Sequence, residues 1–169
     1  IQKAAKYYQE LIIKGCNDER VFSNYGLILE SLGKKKEAER CHRKAIEINP
    51  IFANAYSNLG IILRDQGRFK EAEFSLQKAI ELKPDFANAH LNIGTILKDL
   101  GNFKEAEISL RKAIELDPSF ANAYLNLGNL LKDLDNLKEA ETCQRKAIEL
   151  KPDFVEAHYN LGNILKNLG

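Results

Sequence analysis

No excess of charge of one sign marks this sequence. Lysine and arginine number 25 against 24 aspartates and glutamates, for a net charge of +1. Nucleic-acid binders carry a basic stripe or patch, so nucleic acid is not an expected partner. No apolar run approaches the length of a membrane span, so membrane insertion is not expected either. No signal-peptide pattern opens the chain at Ile1. Cysteine is scarce: Cys16, Cys41 and Cys143 form an odd set without C-x-x-C spacing. That excludes a disulfide framework and a zinc site, and points to a reducing, cytoplasmic compartment. Catalytic motifs are missing as well: there is no Ser-His-Asp order, glycine-rich phosphate loop or H-E-x-x-H. The expectation is a chain that is not an enzyme, with no catalytic residue, no metal site and no cofactor.

Proline is also scarce, and its placement organises the chain. Pro50, Pro84, Pro118 and Pro152 are spaced 34 residues apart, as are Gly26, Gly60, Gly94, Gly128 and Gly162. Two alanine series, Ala38 to Ala140 and Ala45 to Ala147, keep the same interval of 34. Residues 53–86 and 87–120 agree at 23 of 34 positions, and 87–120 agrees equally well with 121–154. A repeat of this length is one supersecondary unit that cannot bury its apolar face alone, so neighbours must stack.

Each repeat is expected to hold two helices, A then B. Proline ends helix B. Asp85, Ser119 and Asp153, each directly after a proline, are expected to cap the next helix A. Gly33, Gly67, Gly101 and Gly169 end helix A in the left-handed conformation, and Asp135 stands at that place in one repeat. Asn102-x-x-Glu105 and Asn136-x-x-Glu139 approach a capping box at the start of helix B. The glycines inside helix A each cost about 1 kcal/mol against alanine, which implies close approach of helix B at those points.

The motif reads Tyr56, Leu59, Gly60, Leu63, Ala72, Leu76, Pro84 in one copy. It returns as His90, Ile93, Gly94, Leu97, Ala106, Leu110, Pro118 and as Tyr124, Leu127, Gly128, Leu131, Ala140, Gln144, Pro152. A looser first copy reads Phe22, Tyr25, Gly26, Leu29, Ala38, His42, Pro50. This sequence resembles the tetratricopeptide repeat family along its whole length. The resemblance implies an all-α fold, an α-α superhelix of about ten antiparallel helices in a right-handed solenoid spanning 1–169. Full repeats fall at 19–52, 53–86, 87–120 and 121–154, with a lone helix B in 1–18 and a lone helix A in 155–169.

Numbering each repeat from Ala53, Ala87, Ala121 or Val155, helix A turns positions 4, 7, 8 and 11 to the core. His90 and His158 fall at position 4 and are expected as packed aromatics; His42 is expected in the core of helix B. Positions 2, 6, 9 and 13 face the other way. They carry Asn54, Asn58, Ile61 and Asp65; Asn88, Asn92, Thr95 and Asp99; Asn122, Asn126, Asn129 and Asp133. Position 6 is asparagine in every copy, from Asn24 through Asn160, and Asn163 takes position 9 of the last. Arg64, Lys98 and Lys132 stand beside the aspartates at position 12. In the family helix A lines the concave groove, so these residues are expected to form its wall. An amide offers donor and acceptor together and pairs with any extended backbone. The arrangement is similar to the asparagine ladder of the O-linked N-acetylglucosamine transferases. Members that clamp a C-terminal carboxylate need lysine at positions 2 and 5; here Asn54, Asn88 and Asn122 and Ser57, Leu91 and Leu125 stand there instead.

The expected function is a protein-interaction scaffold that binds an extended peptide or a helix of a partner protein in the groove. Two alternatives stand beside it. One is a substrate-recruiting segment of a larger enzyme, glycosyltransferase-like or otherwise modifying. The other is head-to-tail self-association that completes the terminal half-repeats.

Overall fold

The computed structural model describes residues 1–169, and it contains ten helices and no strand. They fall into two compact units, Ile1–Pro84 and Asp85–Gly169. The first unit holds α1 (Gln2–Ile13), α2 (Glu19–Ser31), α3 (Lys35–Ile48), α4 (Ala53–Asp65) and α5 (Phe69–Leu82). The second holds α6 (Ala87–Asp99), α7 (Phe103–Leu116), α8 (Ala121–Asp133), α9 (Leu137–Leu150) and α10 (Val155–Leu168). Even-numbered helices are the A helices; odd-numbered ones are the B helices. Each helix packs on its neighbours in sequence within its unit.

The alanines of the B helices are the reason the pairs close so tightly. Ala38, Ala45, Ala72 and Ala79 in the first unit, and Ala106, Ala113, Ala140 and Ala147 in the second, are fully buried. Across from them, the glycine of helix A lets a branched side chain seat on bare backbone. A Cβ on Gly60 would lie 2.7 Å from Leu76 Cγ, and one on Gly94 2.8 Å from Leu110 Cγ. The A helices also approach one another, α2 with α4 in the first unit, α6 with α8 and α8 with α10 in the second. The B helices α3 and α5 do not, nor do α7 and α9. Each unit is therefore pinched on its A side and splayed on its B side.

The A-to-B turns form as the glycines predict. Gly33, Gly67 and Gly101 have φ of 74°, 75° and 80°, and Asp135 takes the same place at 61°. Their backbone bonds are alike: Gly67 N donates to Arg64 O at 2.8 Å and Asp135 N to Lys132 O at 3.0 Å. Asp135 adopts a conformation that costs an L-residue about 1 kcal/mol, part of which glycine gives back as chain entropy. Asp135→Gly is expected to raise the unfolding free energy by about 0.5 kcal/mol in urea titration. A lower midpoint would mean that the carboxylate contributes bonding that offsets its strain.

The expected caps differ. No side chain bonds the first turn of α4, α6, α8 or α10, whose N-cap residues are Phe52, Phe86, Phe120 and Phe154. Asp85, Ser119 and Asp153 lie one residue too early, inside a turn held by backbone bonds such as Phe120 N to Asp117 O at 3.1 Å. Ser119 Oγ instead donates to Asp117 Oδ1 at 2.6 Å. Asn102 and Asn136 hold the N-cap place of α7 and α9 without bonding it. Asn136 Nδ2 donates to Glu139 Oε2 at 3.0 Å, so that pair closes side chain to side chain. Only Asp18, before α2, caps in the usual way, accepting from Arg20 N at 2.8 Å.

Candidate functional site

The A helices carry their core residues on one side and a polar stripe on the other, because 100° per residue separates positions 4, 7 and 11 from positions 2, 6, 9 and 13. In α4, Leu59 and Leu63 are buried while Asn54 and Asp65 are exposed and Asn58 is half-buried. In α8, Leu127 and Leu131 are buried while Asn122 and Asp133 are exposed and Asn126 and Asn129 are half-buried. Asn88 and Asp99 are exposed on α6, with Asn92 and Thr95 half-buried; Asn160 and Asn163 are half-buried on α10.

Several amides of this stripe bridge to an earlier helix, Asn24 to α1 and Asn58 and Asn126 to the preceding A helix. In the first unit Asn24 Nδ2 donates to Tyr8 Oη at 3.4 Å and Asn58 Nδ2 to Ser23 Oγ at 3.3 Å. In the second, Asn126 Nδ2 donates to Thr95 Oγ1 at 3.1 Å, and that hydroxyl donates onward to Leu91 O at 3.0 Å. In each of these three bridges the amide N–H is used and the carbonyl oxygen is left over. Asn129 works in reverse: its Oδ1 accepts from the buried Gln144 Nε2 at 3.0 Å. Gln144 stands where Leu76 and Leu110 stand in other repeats, so a polar core residue reaches through to the stripe.

Most charges along the stripe are paired, Asp99 being the exception. Arg64 Nη2 lies 3.0 Å from Asp65, which Lys35 Nζ also approaches at 3.4 Å. Lys98 Nζ passes over its sequence neighbour and lies 3.0 Å from Asp133 of the following A helix, with Lys132 Nζ 3.9 Å away on the other oxygen. Thr95, Lys98, Asp99, Asn126 and Asn129 line a notch of about 60 Å³. It has room for a water or the tip of a side chain, among groups that both donate and accept.

The histidines are apart. His42 is fully buried and donates from Nε2 to Glu30 Oε1 at 2.9 Å, its other ring nitrogen without a partner. His90 is half-buried. His158 departs from the expected packed aromatic: it is exposed and donates to Pro152 O at 2.9 Å. The three cysteines are free. Burial first, then Glu37 beside Cys41 and Glu139 beside Cys143, pushes those two thiols up to about 11, away from thiolate reactivity. No group of three His, Cys, Asp or Glu side chains is placed to hold a metal ion. No helix is long and apolar enough to cross a membrane.

Residues 1–91 match the model of the cilia and flagella-associated protein 70 middle TPR-like domain, and residues 94–135 and 128–169 match the TPR repeat model. No curated protein matches the chain in sequence. Among solved structures, YrrB, described as a TPR protein with an unusual peptide-binding site, is 25% identical over 96% of this chain and 84% of its own, with a TM-score of 0.75. MamA from Desulfovibrio magneticus RS-1 is 22% identical over 88% of this chain and 84% of its own, also at a TM-score of 0.75. The APC/C hetero-tetramer Cut9-Hcn1 offers a chain 17% identical with a TM-score of 0.88, covering 97% of this chain and 33% of that one. The last two carry the fold alone, an all-α superhelix of paired helices.

Proposed function

The chain belongs to the tetratricopeptide repeat family, and from that premise we propose that the asparagine-bearing A face of each unit holds an extended segment of a partner protein. A protein-interaction scaffold is the coarse reading that the family and its solved members support. The finer reading rests on one observation. Every A helix presents an asparagine at position 6, and where Asn24, Asn58 and Asn126 bridge to a neighbour, only the N–H is consumed. What remains is a row of amide oxygens at fixed spacing along each unit, suited to accept from the N–H groups of an extended backbone. The bridging bonds fix the amide orientation, so little side-chain entropy is lost on binding. YrrB, the relative with a peptide-binding site, lends further support.

The paired charges bear on specificity. Lys98 with Asp133 and Arg64 with Asp65 already neutralise each other, so the stripe selects for backbone geometry more than for ligand charge.

Peptides selected on the immobilised chain from a random display library test this. Asn58→Ala, Asn92→Ala and Asn126→Ala combined are expected to weaken a selected peptide about tenfold or more, at about 0.5–1.5 kcal/mol per amide. The circular dichroism of the helices is expected to stay unchanged. Equal affinity for the variant would remove the amides from the binding face.

A further inference from the structure

The splay of the B helices leaves a second opening in the first unit, on the side of α4 turned away from its asparagines. It is a cavity of about 560 Å³ between α3 and α5. Tyr56, Leu59 and Leu63 form its floor, and Ile46 and Phe74 are among its walls. Phe74 is 59% exposed although it is large and apolar. Its place in the repeat is held by Arg40, Ile108 and Thr142 in the other copies, so the ring is peculiar to this repeat.

A basic shelf adjoins the cavity. Lys36, Arg40, Arg43 and Arg68 line a smaller recess of about 310 Å³ around Glu39, and Arg43 borders both openings. Lys36, Arg40 and Arg43 share one face of α3 at spacings of four and three. Arg40, Gln66 and Arg68 are again particular to this junction. The matching residues in the two following repeats are Phe74, Leu100 and Asn102, then Ile108, Leu134 and Asn136.

Ion pairing across the opening differs from that in the second unit. In the second unit, Arg111 of α7 reaches Glu139 of α9 at 2.6 Å and ties the two B helices together. The corresponding pair in the first unit, Arg43 and Glu71, is 3.7 Å apart. Arg68, which has no arginine counterpart in the other repeats, takes Glu71 at 2.6 Å and Glu39 of α3 at 2.9 Å, and Arg43 turns to Glu39 at 2.8 Å, so the tie between the two B helices is drawn to the end of the opening at the start of α5. Lys70 on the cavity's wall, and Lys36 and Arg40 in the adjoining recess, are left without a carboxylate partner. The carboxylates on the cavity's wall, Glu47 and Glu71, are already taken by Lys44 and Arg68, so the charge left over on and beside this apolar pocket is positive.

We propose that this B-side opening of the first unit is a second docking surface, independent of the asparagine face, for an acidic segment of a partner protein that inserts one bulky apolar side chain. The apolar side chain fills the space between Phe74 and the floor of Leu59 and Leu63. Asp or Glu residues flanking it reach Arg40, Lys36 and Lys70. Burial of the inserted side chain supplies the affinity, and the cations supply orientation and choice of partner.

A labelled 15-residue peptide with one central phenylalanine flanked by glutamates is the probe, followed by fluorescence polarisation. Three control peptides carry alanine for the phenylalanine, lysine for the glutamates, or a phosphoserine pair with no apolar residue. Binding of the probe is expected to fall about tenfold with either of the first two controls, with Phe74→Thr, and with Arg40→Thr. It is expected to weaken with added salt. Both protein substitutions install the residue found at the same place in another repeat, on exposed positions, so folding is not at issue. Asn58→Ala is expected to leave this binding unchanged, which separates this surface from the asparagine face. Equal binding of the lysine control, or retention of affinity in both Phe74→Thr and Arg40→Thr, overturns the proposal. Equal binding of the phosphoserine peptide overturns it too, by reducing the surface to a simple anion site.

Discussion

Leu110→Ala is expected to lower the unfolding free energy by about 3 kcal/mol, within the 2–5 kcal/mol span of buried leucine truncations. Leu110 is fully buried in α7, with its γ carbon against the bare backbone of Gly94. The size of the loss depends on whether the surroundings can collapse into the space left. Here they cannot readily do so. One wall is the backbone of α6 at Gly94, which has no side chain to swing inward, and another is the fully buried backbone around Ala106. The cavity would persist, and with it the lost dispersion contacts. Neighbour coupling in a repeat protein spreads the damage, because α6 and α7 supply the surface on which α8 packs. Urea unfolding measures it, with native helix content by circular dichroism as the check. A loss under about 1 kcal/mol would mean that the site repacks, and that the glycine-to-leucine contact is not what holds the helix pair together.

That contact was largely legible in the sequence. Glycine and alanine at a fixed interval of 34 state that two helices touch, and the phase of leucine states which faces do so. The helix-ending glycines were equally legible, since a left-handed residue is a property of backbone alone. Features that need a partner's position were not. Asp85, Ser119 and Asp153 have the chemistry of caps, but the turn after each proline places a phenylalanine at the cap. His158 occupies a core phase yet is exposed, because phase buries a residue only where another helix lies against that face. Lys98 stands beside Asp99 in sequence and pairs with Asp133 in space, since successive A helices converge, whereas Arg64 reaches its own neighbour Asp65; adjacency in sequence does not decide which carboxylate is taken.

The stripe of amides shows the same division. Periodicity identified which residues share the face, and the structure keeps them there. It did not reveal that Asn58 and Asn126 each spend an N–H on the preceding A helix, or that Gln144 in the core reaches Asn129. Phe74 and Arg40 escaped because position 22 differs in every copy. Variation among near-identical repeats was the available signal: Arg, Phe, Ile and Thr at one place cannot all serve a shared structural role.

Gly94→Ala and Gly162→Ala alter the same motif position and are expected to change stability in opposite directions. Both sit inside helices, so each gains about 1 kcal/mol of helix propensity from alanine. At Gly94 the new methyl carbon would lie 2.8 Å from Leu110 Cγ and 3.1 Å from Ala106 O. Neither atom can give way easily, one being the branch point of a buried side chain and the other main chain. Overpacking of this kind costs about 1–3 kcal/mol, and the added strain on the A–B contact places it at the upper end, for a net loss of about 2 kcal/mol. At Gly162 nothing lies within 4 Å, since α10 packs on α8 and α9 and no helix covers that side. The propensity gain then stands alone, and Gly162→Ala is expected to be about 1 kcal/mol more stable by urea unfolding at low protein concentration. The comparison also senses what covers α10. A loss of stability at Gly162 that grows with protein concentration would mean that another copy packs there, since only a neighbouring helix would turn the same methyl group from a gain into a clash.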